Sequence, residues 1–131
     1  MLLDSSGLLC FFDDSDWRHA EAVTFFQSAR LWLTHDYVLA EFVPLCQARG
    51  LNRKKTLSFI RALLENPLVE VIWTNEELYQ RAVELLEQRL DKTYSLCDAV
   101  SFLLMRERGI SEALTTDKHF TQEGFTQLLQ P

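Results

Sequence analysis

The chain begins with MLLDSSG (residues 1–7), the stretch that most directly indicates the fold. Its first three residues are apolar and predict a short strand, which ends at Asp4. Ser5, Ser6 and Gly7 then open a helix that we expect to continue through Phe12. A strand that passes directly into a helix is typical of α/β proteins. We therefore expect Asp4 to lie at the carboxyl end of a strand.

The alternation of strand and helix continues along the rest of the chain. Further strands are predicted at residues 30–34, 69–73, 112–115 and 125–129. Helical stretches separate them, with Asp16 and Asn52 as candidate N-caps and Gly50 and Gly109 as helix ends. Strands separated by helices imply right-handed crossovers and a parallel sheet covered on both faces. The sequence thus predicts one three-layer α/β domain over residues 1–131.

The composition fits a folded enzyme better than a nucleic-acid coat. The chain is 47% hydrophobic with only 4 Gly and 3 Pro, so it can bury a core. Its net charge of −6 argues against a basic coat protein. One segment, residues 42–64, nevertheless lacks acids and carries five basic residues: Arg49, Arg53, Lys54, Lys55 and Arg61. One interpretation is that this basic segment binds a phosphate backbone. The alternatives are that it forms a solvated helix face or contacts another protein.

The cysteines and the apolar runs exclude several other classes. The three cysteines are odd in number and widely spaced, which fits neither a disulfide framework nor a C-x-x-C zinc site. No signal peptide is recognisable, and no apolar run reaches the roughly 18 residues that a membrane span needs. We therefore expect a cytoplasmic protein without a membrane segment.

Four acidic residues lie near predicted strand ends or helix starts: Asp4, Glu41, Asp98 and Asp117. Each also has an ordinary structural explanation: Asp4 as a helix cap, Glu41 as the edge of an apolar stripe, Asp98 as a capping-box partner of Ser95, and Asp117 as a turn residue. A parallel sheet can gather such residues at one edge. Carboxylates about 4 Å apart repel by roughly 4 kcal/mol at an effective dielectric near 20. A gathered cluster therefore predicts a hard divalent cation, which takes oxygen ligands.

The four acids occur in order within LLDSSG (2–7), THDYVLAE (34–41), YSLCDA (94–99) and LTTDKHF (114–120). This ordered set resembles PIN domains, and more closely the VapC-type toxins of type II toxin–antitoxin pairs. The match extends over essentially the whole chain, residues 1–131, as a single PIN domain. The resemblance implies a central parallel sheet of strand order 3-2-1-4-5 flanked by helices, with Asp4 and Asp117 on adjacent strands.

The same resemblance implies the activity and the roles of the acids. It implies a metal-dependent endoribonuclease, a hydrolase with Mg²⁺ or Mn²⁺ as cofactor and RNA as substrate. Asp4 and Asp98 are the leading metal ligands, and Glu41 and Asp117 complete the set directly or through water. A cognate antitoxin and a homodimer are implied as partners.

Residues beside the acids are expected to support them. Ser6 and Thr115 are the candidates, because a hydroxyl can orient a metal-bound carboxylate. His119 is expected at the surface or next to the metal ligands rather than in a catalytic role. The candidates for holding the RNA backbone are Arg49, Arg53, Lys54 and Lys55.

Two departures and several alternatives accompany this interpretation. The first strand is short for a central strand, and Pro44 lies one turn past Glu41, where a kink could shift that carboxylate.

The main alternative is a non-catalytic PIN-fold module that binds RNA or protein. A second alternative is an aspartyl phosphatase, but this class usually has a second Asp two residues after the first, and that position is Ser6 here. A dinucleotide-binding protein needs a G-x-G-x-x-G loop that the chain lacks. A structural domain whose acids are all caps and turns is the last alternative.

Overall fold

The computed structural model describes the whole chain, residues 1–131. Its strands are β1 (Leu2–Leu3), β2 (Trp32–His35), β3 (Val69–Ile72), β4 (Glu112–Leu114) and β5 (Thr126–Gln127). Its helices are α1 (Ser5–Phe12), α2 (His19–Ser28), α3 (Asp36–Ala48), α4 (Arg53–Glu65), α5 (Glu76–Glu87), α6 (Leu96–Arg108) and α7 (Lys118–Gln122). None of these helices combines the length and apolar character needed to cross a bilayer.

The five strands form one sheet in the order β3-β2-β1-β4-β5, and every neighbouring pair is parallel. This confirms the predicted sheet. The short β1 occupies the central position between β2 and β4. Parallel strands all end at the same edge, so the residues that follow β1 and β4 are neighbours. The backbone N–H of Asp4 indeed donates to the carbonyl of Leu114, at 3.2 Å.

Helices cover both faces of the sheet, as the sequence predicts. Leu3 belongs to a core cluster with side chains from α1, α2, α3 and α4, whereas Leu2 belongs to a second cluster with α5, α6 and α7. Successive strand residues point to opposite faces of a sheet, so β1 contributes to both cores. The predicted three-layer α/β architecture is therefore confirmed.

Gly7 allows α1 to lie unusually close to β4. A Cβ atom at this position would be 1.8 Å from the carbonyl oxygen of Leu114 and 2.4 Å from its carbonyl carbon. Both are backbone atoms, which cannot move aside as a flexible side chain could. The absence of a side chain at Gly7 thus keeps the first turn of α1 against the end of β4.

Two local predictions meet different outcomes. The N-cap prediction for Asp16 is wrong, because α2 begins at His19 with Arg18 in the cap position. The Asp16 carboxylate instead pairs with Arg18 and Arg49. Pro44 lies inside α3, and the helix continues past it to Ala48.

Candidate active site

Asp4 lies where β1 passes into α1, and it is almost fully buried, with 4% of its surface exposed. It occupies the N-cap position of α1, but its side chain makes no capping hydrogen bond. Its Oδ2 atom instead accepts hydrogen bonds from Thr115, at 2.7 Å, and Ser6, at 3.3 Å. Helix capping therefore does not explain this carboxylate.

The pKa of Asp4 is raised to about 7, first because the group is buried and then because Asp98 and Glu41 bring negative charge close to it. The hydrogen bond from Thr115 opposes this rise without cancelling it. The free protein therefore keeps a proton on Asp4 up to a higher pH than an exposed aspartate would. A cation at this position would displace that proton.

Ser6 and Thr115 form a hydroxyl bridge between α1 and the end of β4. Their oxygens are 3.1 Å apart, and Ser6 also accepts the N–H of Thr116, at 3.0 Å. Thr115 accepts the N–H of Asp117, at 3.0 Å, while its own hydroxyl points to Asp4. Both residues thus lie beside the acids, where the sequence predicts them.

Asp98 occupies the first turn of α6, and the predicted capping box is present. The Ser95 hydroxyl accepts the N–H of Asp98, and Oδ2 of Asp98 accepts the N–H of Ser95, both at 3.0 Å. The same Oδ2 is 3.0 Å from Nδ1 of His119. Burial raises the pKa of Asp98, and the nearby charge of Asp117 adds to the rise.

Asp117 follows β4 and caps the short helix α7, so the cap explanation does apply to it. Its Oδ1 accepts the backbone N–H of His119, at 2.9 Å, and lies 3.3 Å from the imidazole Nδ1 of the same residue. His119 therefore contacts the carboxylates of both Asp98 and Asp117.

Glu41 lies on α3 and is exposed, as expected of a residue at the edge of an apolar stripe. It nevertheless faces the other acids, since the Ser5 hydroxyl donates a hydrogen bond to its Oε1. The Pro44 in α3 therefore leaves the Glu41 carboxylate at the candidate site.

The acids and their neighbours form two adjacent groups. In each group the candidate ligand atoms all lie within 4.8 Å of one another; one contains Asp4, Glu41 and Cys97, and the other contains Asp98, Asp117 and His119. Cys97 and Asp98 are consecutive residues of α6, so the groups share a boundary. The four predicted acids thus converge at the carboxyl edge of the sheet.

Each of the four carboxylates has one oxygen held by the protein and one that accepts no hydrogen bond. The held atoms are Oδ2 of Asp4, Oε1 of Glu41, Oδ2 of Asp98 and Oδ1 of Asp117. The only buried side-chain polar atom without a partner is Nδ1 of His35, so the free oxygens reach solvent. Carboxylates that are oriented and still have a free oxygen fit a hard divalent cation, which binds oxygen ligands and water.

Residues 1–125 match the model of the PIN domain family. The chain belongs to the PIN domain family. It is 28% identical over 135 residues to the 23S rRNA-specific endonuclease VapC20 from two strains of Mycobacterium tuberculosis, covering 98% of this chain and 97% of that protein. The crystal structure of VapC20, described as a sarcin–ricin loop cleaving toxin, superposes with a TM-score of 0.87 at 27% identity and covers 99% of this chain and 98% of the other.

The basic residues predicted for RNA contact in this PIN domain differ in their surroundings. Arg49 is 3.0 Å from Asp13 and 2.8 Å from Asp16, so it is already paired within the protein. The other three, Arg53, Lys54 and Lys55, lie at the start of α4, are exposed, and form no ion pair. These three are the cations that remain free to meet a ligand.

Two further side chains in this PIN domain's site, Ser5 and Cys97, are not predicted by any sequence pattern. Ser5 contacts Glu41 from 36 positions away, and no local pattern encodes such a contact. Cys97 precedes Asp98 on α6, so its placement at the site follows once Asp98 is accepted as a site residue. His119 lies next to the acids, as expected, and it also contacts two carboxylates, an arrangement that no local pattern predicts.

Proposed function

We propose that this PIN domain is a metal-dependent endoribonuclease and the toxin of a toxin–antitoxin pair. The observation that carries the proposal is the convergence of four carboxylates, each with one held and one free oxygen. Similarity to a 23S rRNA-specific endonuclease along almost the whole chain supports the same activity. The alternative, a non-catalytic binding module, gives no reason for burying two mutually repelling acids at one edge of the sheet.

Asp4 and Asp98 are proposed as the principal metal ligands, with Glu41 and Asp117 acting directly or through water. Mg²⁺ or Mn²⁺ suits these oxygen donors. Burial raises the pKa of the Cys97 thiol well above its usual range. The thiol therefore stays protonated and competes poorly with the carboxylates as a metal ligand. When bound, such a cation supplies activation of water and stabilisation of charge on the phosphate oxygens.

The chain's own residues would hold the site ready for this chemistry. Thr115 and Ser6 fix one oxygen of Asp4, and Ser5 fixes one oxygen of Glu41. Carboxylates already held by hydrogen bonds lose little freedom when they engage a ligand. The deep position of Asp4 also limits the water that can reach its held oxygen.

The proposed RNA contact is the exposed start of α4, with Arg53, Lys54 and Lys55. A short cationic surface is consistent with a chain whose net charge is −6, because only a few phosphates need to be bound. Arg49 is a weaker candidate because Asp13 and Asp16 already compensate its charge. The sarcin–ricin loop is the first RNA to test, since the similar VapC20 is described as cleaving it.

We also propose that the 131 residues act as one domain in the cytoplasm, as a homodimer restrained by a cognate antitoxin. A single sheet with a core cluster on each face supports the one-domain proposal. Large exposed apolar side chains such as Trp73 and Leu31 offer surfaces for protein partners. Light scattering, which measures the mass of the protein in solution, tests the proposed homodimer. A neighbouring reading frame that encodes a small DNA-binding protein would support the proposed antitoxin partner.

The deciding experiment is cleavage of an RNA hairpin carrying the sarcin–ricin sequence, with and without divalent metal. We expect cleavage with Mn²⁺ or Mg²⁺, none with a chelator, and none by Asp98→Asn. The matched control is Asp91→Asn, which removes an exposed acid that the site does not use. RNA binding without metal-dependent cleavage would favour the non-catalytic module.

Metal binding has its own readout. A cation that binds only the folded protein raises the melting temperature. We expect Mn²⁺ to raise it for the native chain and for Asp91→Asn, and to raise it less for Asp4→Asn and Asp98→Asn. Equal shifts in all four proteins would contradict the proposed ligands.

A further inference from the structure

His119 connects the acids of the site to a loop outside it. Its Nδ1 is 3.0 Å from Oδ2 of Asp98 and 3.3 Å from Oδ1 of Asp117. Its Nε2 is 2.9 Å from the hydroxyl of Thr93, in the loop between α5 and α6. The ring of Tyr94 packs edge-on against the imidazole, with the centroids 5.1 Å apart. The imidazole is therefore held on both nitrogens and on one face.

The contact with Asp98 places a proton on Nδ1 of the imidazole. An ionised carboxylate only accepts hydrogen bonds, so Nδ1 of His119 must carry the proton that lies toward Asp98. An Nδ1 without a proton would place a nitrogen lone pair against the carboxylate oxygen. Nε2 faces the Thr93 hydroxyl, which can either donate or accept. Thr93 thus holds the far side of the ring while Nδ1 donates to the site.

The donated proton determines which oxygen of Asp98 remains available. Oδ2 accepts both the N–H of Ser95 and the imidazole N–H of His119. Two donors on Oδ2 leave Oδ1 as the atom able to meet a cation. We propose that His119 is a positioning residue, fixed by Thr93, that turns Asp98 so that its Oδ1 faces the metal. This inference rests on the proposed metal-dependent function.

The main alternative is that His119 ligates the cation directly through Nδ1. That role requires Nδ1 without its proton and removes the donor from Oδ2 of Asp98. It also places the proton of the neutral ring on Nε2, which would then donate to the Thr93 hydroxyl. The two roles therefore differ in whether a nitrogen binds the metal.

The test uses two pairs of conservative variants. Asn places an amide N–H close to where Nδ1 lies, whereas Gln reaches toward the position of Nε2, so His119→Asn keeps the donor to Asp98 and His119→Gln loses it. Thr93→Ser keeps the hydroxyl and Thr93→Val removes it, at an exposed position. Thermal unfolding with a chelator first identifies variants that fold like the native chain.

The readout is the dissociation constant of Mn²⁺, measured by electron paramagnetic resonance without RNA. Loss of such a supporting partner typically weakens metal affinity 10- to 100-fold. We expect about tenfold weaker binding by His119→Gln and near-native binding by His119→Asn. Loss of one neutral hydrogen bond corresponds to about a threefold effect, which we expect for Thr93→Val but not for Thr93→Ser.

Each outcome bears on one hypothesis. Equal Mn²⁺ affinity in His119→Gln and the native chain, or equal weakening in His119→Gln and His119→Asn, would overturn the positioning role. A nitrogen hyperfine coupling to bound Mn²⁺ that disappears in both His119 variants would replace it with direct ligation. If the native chain binds no Mn²⁺ at all, the proposed function itself fails.

Discussion

The hydroxyl of Thr115 donates a hydrogen bond to Oδ2 of Asp4 at 2.7 Å, joining residues that follow two adjacent parallel strands. The same hydroxyl oxygen accepts the N–H of Asp117, at 3.0 Å. One side chain therefore sets the position of two of the four acids. The contact depends on the sheet order, because β1 and β4 are far apart in the chain and neighbours only in the fold.

Thr115→Val removes this hydroxyl while keeping the shape of the side chain. We expect RNA cleavage to fall about 10- to 100-fold, because the carboxylate proposed as a metal ligand loses its orienting partner. The metal-free protein should lose about 1–3 kcal/mol of stability, because buried polar groups lose their partner. Thr115→Ser keeps the hydroxyl and should stay close to native in both assays. Equal kcat/KM for the Val and Ser variants would contradict the orienting role.

The raised pKa of Asp4 predicts a pH dependence of the metal-free protein. Burial, with the charges of Asp98 and Glu41, raises this pKa to about 7 from an unfolded value of 3.8. Below about pH 4, Asp4 is protonated in both the folded and the unfolded state, so its ionisation does not change the free energy of unfolding. From pH 4 to 7 only the unfolded state releases the proton, so the free energy of unfolding falls, and above 7 the loss is complete.

Asp4→Asn should therefore become more stable relative to the native chain as the pH rises from 5 to 8, with a chelator present. Urea unfolding at several pH values measures this difference. Asp91→Asn, which removes an exposed acid, should run parallel to the native chain over the same range. A constant difference between Asp4→Asn and the native chain would show that Asp4 is ionised throughout.

Much of the fold follows from local signals in the sequence. The apolar start of the chain predicts β1, and the Ser95–Asp98 pattern predicts the capping box that begins α6. The capping role of Asn52 is also visible in the sequence and is confirmed. Each of these signals involves residues at most a few positions apart.

The contacts that complete the site are not local, and the sequence does not reveal them. Ser5 reaches Glu41 across 36 positions, and His119 reaches Thr93 across 26. Asp16 illustrates the reverse error: its local pattern favours an N-cap, but its carboxylate pairs with Arg18, two positions on, and with Arg49, 33 positions away. Only the first of these partners is local.

Arg49 and Lys54 should separate stability from RNA binding. Arg49→Ala leaves the carboxylates of Asp13 and Asp16 with one fewer cation, and both are largely buried. We expect a loss of about 1–3 kcal/mol in urea unfolding, because buried charges lose a hydrogen-bonded partner. RNA affinity of the folded variant should change little, since Arg49 is already paired within the protein.

Lys54→Ala should behave in the opposite way, because Lys54 is exposed and unpaired. Stability should stay within about 0.5 kcal/mol of native. RNA affinity should fall, as measured in the Asp98→Asn background to prevent cleavage. The slope of the logarithm of the affinity against the logarithm of the salt concentration should decrease by about 1, because one phosphate contact is lost. Unchanged affinity and salt dependence would remove Lys54 from the RNA contact.

Gly7→Ala tests whether the close approach of α1 and β4 holds the site together. The added Cβ would be 1.8 Å from the Leu114 carbonyl oxygen, so the helix or the strand must move. Overpacking of this kind typically costs about 1–3 kcal/mol or more. Because Asp4 and Ser6 lie at the start of α1 and Thr115 follows β4, the same movement should separate Asp4 from its hydroxyl partners and weaken Mn²⁺ binding.

The matched control is Gly50→Ala, where φ is +70° and no atom lies within 4 Å of the added Cβ. Its cost should be about 1 kcal/mol, from the backbone conformation alone. Because Gly50 lies at the end of α3, away from the acids, Mn²⁺ affinity should remain native. Urea unfolding and Mn²⁺ titration of both variants measure these differences. A folded Gly7→Ala protein with native Mn²⁺ affinity would show that metal binding does not depend on the close approach of α1 and β4.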